Sequence, residues 1–210
     1  MQQQPSLKHL VQLVGTLSSD ISSWETSSNG DCLFHSICII LESDEELFPF
    51  SPSITLLRQM VANSFSVIDE LTRQTLWSWI EVYNGAKKER NLPLMLEYFH
   101  IANVCAIENQ TNYLKNHNQL SQEQLHCLQK CILQNKFWGE EHSIRILSNI
   151  LGVHFWIIDA DTNLVQKTYH HNLNSKWFAI LLRSNNHYEP LSIDDRFLWS
   201  TALLGRRLHH

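Results

Sequence analysis

Nowhere in these 210 residues does an apolar run approach the roughly 18 that a membrane-crossing helix needs, so no membrane partner is expected. The opening MQQQPSLKHL lacks the basic start and apolar stretch of a cleaved secretion signal, which points to a cytoplasmic chain. Positive charge is also scarce. Lys and Arg total 16 against 21 Asp and Glu, a net charge of -5, and only KKER (87–90) and the terminal GRRLHH are locally basic. Nucleic-acid binders concentrate Lys and Arg, so none is expected as a partner; a mildly acidic chain suits one with a basic contact surface. The five cysteines (32, 38, 105, 127, 131) are odd in number and show no framework spacing, so they read as reduced thiols. The middle of the chain holds no repeat and no low-complexity tract.

What is present is globular: 43% apolar and 18% charged residues, long enough for one well-filled core. Apolar residues at spacings of three and four predict an amphipathic helix over 6–21, then a Ser-rich loop, SSWETSSNGD. A second helix starts at Cys32 on Leu33, Phe34, Ile37, Ile40 and Leu41, and ends near ESDEE. From about 53 to 135 the pattern is helical, with Ser53 as a cap, Asn84-Gly85 as a break, and Ser121 with Gln124 as a capping box. SIRILSNILG is a helix ended by Gly152. VHFWIID, LVQKTY and KWFAILLR read as strands, at least two of them in a hairpin turned by ADTN. SNNHYEPLSI reads as a short loop feeding a last strand, and DDRFLWSTALLGRR as a closing helix. The class is α+β of the α/β type, a small central sheet flanked by helices with an enlarged helical lobe.

Three constellations bear on chemistry. Cys32 opens its helix, where free backbone N–H groups and the positive dipole end favour a thiolate and can hold an oxyanion. Gly30 lets the preceding loop adopt positive φ. A Cys at a helix start is equally well a small core residue. His187 stands where a loop meets a strand, so Glu189, two residues on, shares its face and can orient the imidazole. A metal site from Cys127 and Cys131 with His126, Cys105 or His100 lacks the doubled C-x₂₋₄-C spacing of zinc sites, and core packing with Leu125, Leu128 and Ile132 explains the pair. DADTNL begins like a calcium loop but has Leu164 where that loop needs Gly and His170 where it needs Glu. No metal and no cofactor is expected.

NGDCLFHSI, FWGEEHSIRILSNILGVHFWII and NHYEPL, in that order, resemble the ovarian-tumour (OTU) family of cysteine proteases over about 27–41 and 137–191. The stretch 42–136 matches no pattern of that family and reads as a helical insertion or lobe within a single OTU-like catalytic domain, 1–210. The resemblance implies a papain-like OTU cysteine protease fold and a deubiquitinase acting on the bond after the C-terminal Gly of ubiquitin. It makes Cys32 the nucleophile and His187 the general base. The backbone of Gly30, Asp31 and Cys32 would form the oxyanion hole, with Trp138, Gly139, Asn186 and Tyr188 at the substrate.

The family usually carries Asp three residues before the Cys; here that position is Asn29, with Asp31 beside the Cys instead. Asn29 and Glu189 are both candidates for the third catalytic residue. His35, where the family often has Arg, is expected to face solvent or substrate. The partner implied is ubiquitin or polyubiquitin, met by a monomer, in a host cytoplasm if the chain is a bacterial or viral effector. Glu140, Glu141, Asp44, Glu45 and Glu46 are acids available to the arginines of an extended ubiquitin tail. The rival readings are a catalytically weak or inactive ubiquitin-binding module, a protease for a ubiquitin-like modifier, and a scaffold that recruits a partner through 42–136.

Overall fold

The computed structural model describes residues 21–27, 29–50, 52–66, 70–91, 121–134, 137, 139, 141–169, 175–185 and 187–202. The helix expected over 6–21 lies outside them apart from Ile21. The elements in order are β1 (Ile21–Ser23), α1 (Cys32–Glu42), α2 (Ile54–Ser64), α3 (Glu70–Glu89), α4 (Gln122–Ile132), α5 (Glu141–Leu151), β2 (Val153–Asp159), β3 (Val165–Tyr169), β4 (Trp177–Ser184), β5 (His187–Ile193) and β6 (Leu198–Ser200). Helices and a mixed sheet give the α+β class expected. Among the described residues no helix is long and apolar enough to cross a membrane. The chain divides into two compact units, Met1–Leu57 with Trp138–His210, and Arg58–Phe137. The stretch 42–136 overlaps both.

In the first unit the sheet order is β1–β5–β4–β2–β3, with β6 beside the first residues of β4. Only β2 and β4 run parallel; every other pair is antiparallel. Six consecutive residues of β2 are buried, as a central strand covered on both faces requires. One face holds Trp156 and Ile158, Phe178 and Ile180, Leu191 and Ile193, each pair two apart, with Val165 and Trp199. The rings of Trp156, Phe178 and Trp199 follow one another at 5.5 and 5.4 Å. Helix α1 packs against β5, and α5 against β2 and β3.

Local chemistry sets most of the element ends. Gly152, at φ 66°, ends α5 while its N–H bonds the Ser148 carbonyl. Ser53 Oγ accepts the Leu56 N–H at 3.1 Å and so caps α2. The ADTN hairpin is held by the Asp159 carboxylate, which accepts the N–H and hydroxyl of Thr162 at 2.8 and 2.9 Å and an amide hydrogen of Gln166 at 2.6 Å. The Thr162 backbone bond, followed by its hydroxyl, holds this carboxyl below its usual range.

Three sequence expectations need correction. Asn84-Gly85 does not break a helix, because α3 runs through it from Glu70 to Glu89. Mid-helix Gly is tolerated at about 1 kcal/mol relative to Ala, within reach of what packing supplies. The closing segment is not helical at 198–200 but forms β6, where Trp199 enters the core opposite Phe178. The supposed loop before Cys32 begins as β1, whose three residues pair with Leu191–Ile193 of β5. A strand of sequence ISS has no periodicity to read; its partner defines it.

In the second unit Phe65 stacks on Trp79 and Trp79 meets the edge of Phe137, both at 5.7 Å between centroids. Arg58, only 2% exposed, is fixed among them. Its guanidinium donates to the carbonyls of Ile132 at 2.7 Å, the last residue of α4, and of Phe137 at 2.9 Å. A cation there satisfies an orphan helix carbonyl and opposes the negative dipole end.

Two packing contacts generate predictions. Arg58→Ala strips two buried carbonyls of charge-assisted donors and should cost about 2–4 kcal/mol in urea unfolding. Arg58→Lys, which keeps the charge without the fork, should fall between the two. In the first unit, a Cβ on Gly139 would sit 2.6 Å from Leu33 Cδ2 and 2.9 Å from Phe34 Cε2. Gly139→Ala should therefore destabilise by about 1–3 kcal/mol through overpacking, with the largest amide shifts by NMR in the first turn of α1.

Candidate active site

The apolar stripe Leu33, Phe34, Ile37, Ile40 and Leu41 is fully buried and holds α1 in the unit, so the helix start cannot drift. Cys32 is its first residue and is 2% exposed. Gly30, at φ 89°, turns the incoming chain in the left-handed region. Asp31 makes no side-chain cap on the helix; its carbonyl accepts the His35 N–H at 2.8 Å, the first bond of the helical ladder. The thiol of Cys32 thus stands at the positive end of a helix whose N-cap carboxylate does not close it. Cys38 lies one and a half turns later on the buried face. Burial, and then the charge of Glu42, push its thiol up to about 12, so it stays protonated.

His187 is the first residue of β5 and is half-buried. Its Nε2 lies 3.3 Å from the hydroxyl of Thr26 and 3.6 Å from Oε1 of Glu189. The i, i+2 relation predicted from sequence therefore does bring Glu189 to the imidazole. Asn29, the other candidate, is exposed and turned onto its own loop, with Oδ1 accepting the Asp31 N–H at 3.3 Å. The Asp31 N–H, one of the three expected oxyanion donors, is thereby engaged within the loop.

The His187 strand and the Cys32 helix meet at one backbone atom. The carbonyl oxygen of Tyr188 accepts the hydroxyl of Thr26 at 2.7 Å and lies 3.0 Å from that of Ser36. Ser36 Oγ is also 2.8 Å from the carbonyl of Cys32, one turn back along α1. From the other side, β1 pairs with β5 and the Trp24 N–H bonds the Pro190 carbonyl, so the loop leading to Cys32 departs from a strand paired with the one that carries His187.

The remaining candidates divide. Tyr188 is buried with the Arg183 guanidinium 5.9 Å above its ring, and Gly139 is buried against Leu33 and Phe34. His35 does not simply face outward: it is half-buried and its Nδ1 accepts the Ser27 N–H at 3.4 Å. Trp138, Asn186 and Glu140 lie outside the described residues. Among the described residues no group of three or more His, Cys, Asp or Glu side chains is arranged to hold a metal ion. Sequence reading missed Thr26 and Ser36, because their partners are 152 to 162 residues away and a hydroxyl in a Ser-rich stretch carries no signal of its own. A helix-start thiol and a strand-start imidazole flanked by a carboxylate and a hydroxyl is the equipment of nucleophilic acyl transfer.

No family model and no curated protein matches the sequence. Among solved structures the chain is similar in fold to an ovarian tumour (OTU) domain in complex with ubiquitin, at 18% identity over 86% of this chain and 75% of that one, TM-score 0.47. It is similar to the viral OTU domain protease from Dera Ghazi Khan virus, at 18% identity over 91% and 86%, TM-score 0.42. It is also similar to an OTU deubiquitinase from Wolbachia pipientis wMel, at 16% identity over 91% and 99%, TM-score 0.42.

Proposed function

We propose that the chain is an OTU-type cysteine protease, a deubiquitinase that hydrolyses the isopeptide or peptide bond after the C-terminal Gly of ubiquitin. The observation that carries this reading is the joint at Tyr188, through which the helix beginning at Cys32 and the strand beginning at His187 share one carbonyl. Ubiquitin as substrate is supported by the motifs NGDCLFHSI and NHYEPL around those two residues. On this reading residues 1–210 are one catalytic domain, with 42–136 as its helical lobe, acting as a monomer in a cytoplasm.

The chemistry then runs as follows. The Cys32 thiolate attacks the glycine carbonyl carbon, and the oxygen, now negative, is held by backbone N–H groups at the start of α1. His187, protonated by the thiol, delivers that proton to the leaving amine as the C–N bond breaks, and a thioester remains. Water enters, His187 removes its proton, and the hydroxide attacks the thioester. The C–S bond breaks to release the ubiquitin carboxylate and restore the thiol. Glu189 is the proposed third residue, stabilising the imidazolium through charge from the same strand face. Asn29 is proposed to shape the loop by holding the Asp31 N–H, a donor for which a substrate oxygen would compete.

Two outcomes test this. Incubation with ubiquitin bearing a C-terminal electrophile should give a covalent adduct at Cys32. Cys32→Ala should abolish the adduct and lower hydrolysis by at least about a thousandfold, while Cys38→Ala leaves labelling intact. Ubiquitin binding without an adduct would make the chain a binding module instead. For the third residue, Glu189→Gln should lower kcat about tenfold with KM little changed, the loss expected when a charge-assisted contact becomes neutral. Glu189→Ala should be worse and Asn29→Asp nearly neutral. A severe Asn29→Ala beside a mild Glu189→Ala in the same steady-state assay would reverse the assignment.

A further inference from the structure

Thr26 has one hydroxyl proton and two neighbours that compete for it. The Tyr188 carbonyl, 2.7 Å away, can only accept, and the shorter distance gives it the proton. What Thr26 then presents to Nε2 of His187, at 3.3 Å, is a lone pair. The other group beside that nitrogen is a Glu189 carboxylate oxygen at 3.6 Å, which when ionised also only accepts. Nε2 is thus faced by two acceptors, and the neutral imidazole satisfies both by carrying its hydrogen there. Nδ1 keeps the free lone pair.

We infer that Thr26 is a positioning residue that fixes His187 in the Nε2–H tautomer, leaving Nδ1 as the nitrogen that takes and returns the catalytic proton. The inference deepens the protease reading and rests on it for its catalytic part. Thr26 is suited to the task because it is itself immobile: it is 7% exposed, and its donor bond ties it to the backbone carbonyl of the residue after His187. The hydroxyl and the ring are therefore referenced to the same short piece of strand, and the acceptor moves with the imidazole. Glu189 supplies charge at a longer distance; Thr26 supplies direction. Ser36 reaches the same carbonyl from α1.

The test compares wild type, Thr26→Val, which keeps the shape and loses the hydroxyl, and Thr26→Ser, which keeps the hydroxyl. In ¹⁵N NMR of the histidine rings near neutral pH, wild type and Thr26→Ser should show His187 with hydrogen on Nε2 and a bare Nδ1. Thr26→Val should show averaged, broadened ring nitrogens. With a ubiquitin ester as substrate, Thr26→Val should lose about tenfold in kcat at unchanged KM, the worth of one hydrogen bond, and Thr26→Ser should restore most of it. Hydrogen on Nδ1 in wild type would overturn the inference, as would Thr26→Val with unaltered ring nitrogens and full kcat. If wild type forms no Cys32 adduct, the protease reading fails, and the ring spectra still decide the tautomer.

Discussion

The carbonyl oxygen of Tyr188 is the point on which the site depends. A carbonyl has two lone pairs, and here one faces a hydroxyl from the loop before the nucleophile helix while the other faces a hydroxyl from inside that helix. The backbone just after His187 is therefore referenced to both sides of Cys32. A buried carbonyl with these partners removed would bear the full cost of desolvation, so the joint is held by the penalty for breaking it as much as by the bonds themselves.

Around that joint the sheet acts as a frame. Strand β4 pairs with β2 from Trp177 to Arg183, with β5 from Ile180 to Ser184 and with β6 over its first three residues, which holds it on both edges. Strand β5 takes its position from β4 and passes it on to β1. The loop containing Thr26, Asn29 and Gly30 starts from β1, so the geometry at Cys32 descends from the sheet core through hydrogen-bonded register. The fully buried apolar face of α1 and the missing side chain at Gly139 fix the other coordinate, the distance at which the helix lies.

The two cysteines of α1 stand in different surroundings on one helix. Cys32 stands at the end where backbone N–H groups converge, while Cys38 lies on the buried face with a carboxylate below it. The same apolar packing that immobilises the helix raises the Cys38 thiol. Both cysteines are buried.

Sequence by itself determined what depends on near neighbours. Spacings of three and four marked α1 and α5, runs of β-branched and aromatic residues marked β2 and β4, and caps at Ser53 and Gly152 marked helix ends. Cys32, and the pairing of His187 with Glu189 across two strand residues, were legible for the same reason. The tertiary structure decided what depends on distant partners. It made a strand of Ile21–Ser23 and of Leu198–Ser200, because a three-residue strand is defined by the ladder it joins. It turned Asn29 onto its own loop. It also gave Thr26 and Ser36 their places, since a hydroxyl's partner follows from where the folded backbone leaves a carbonyl, and that carbonyl comes from more than 150 residues along the chain.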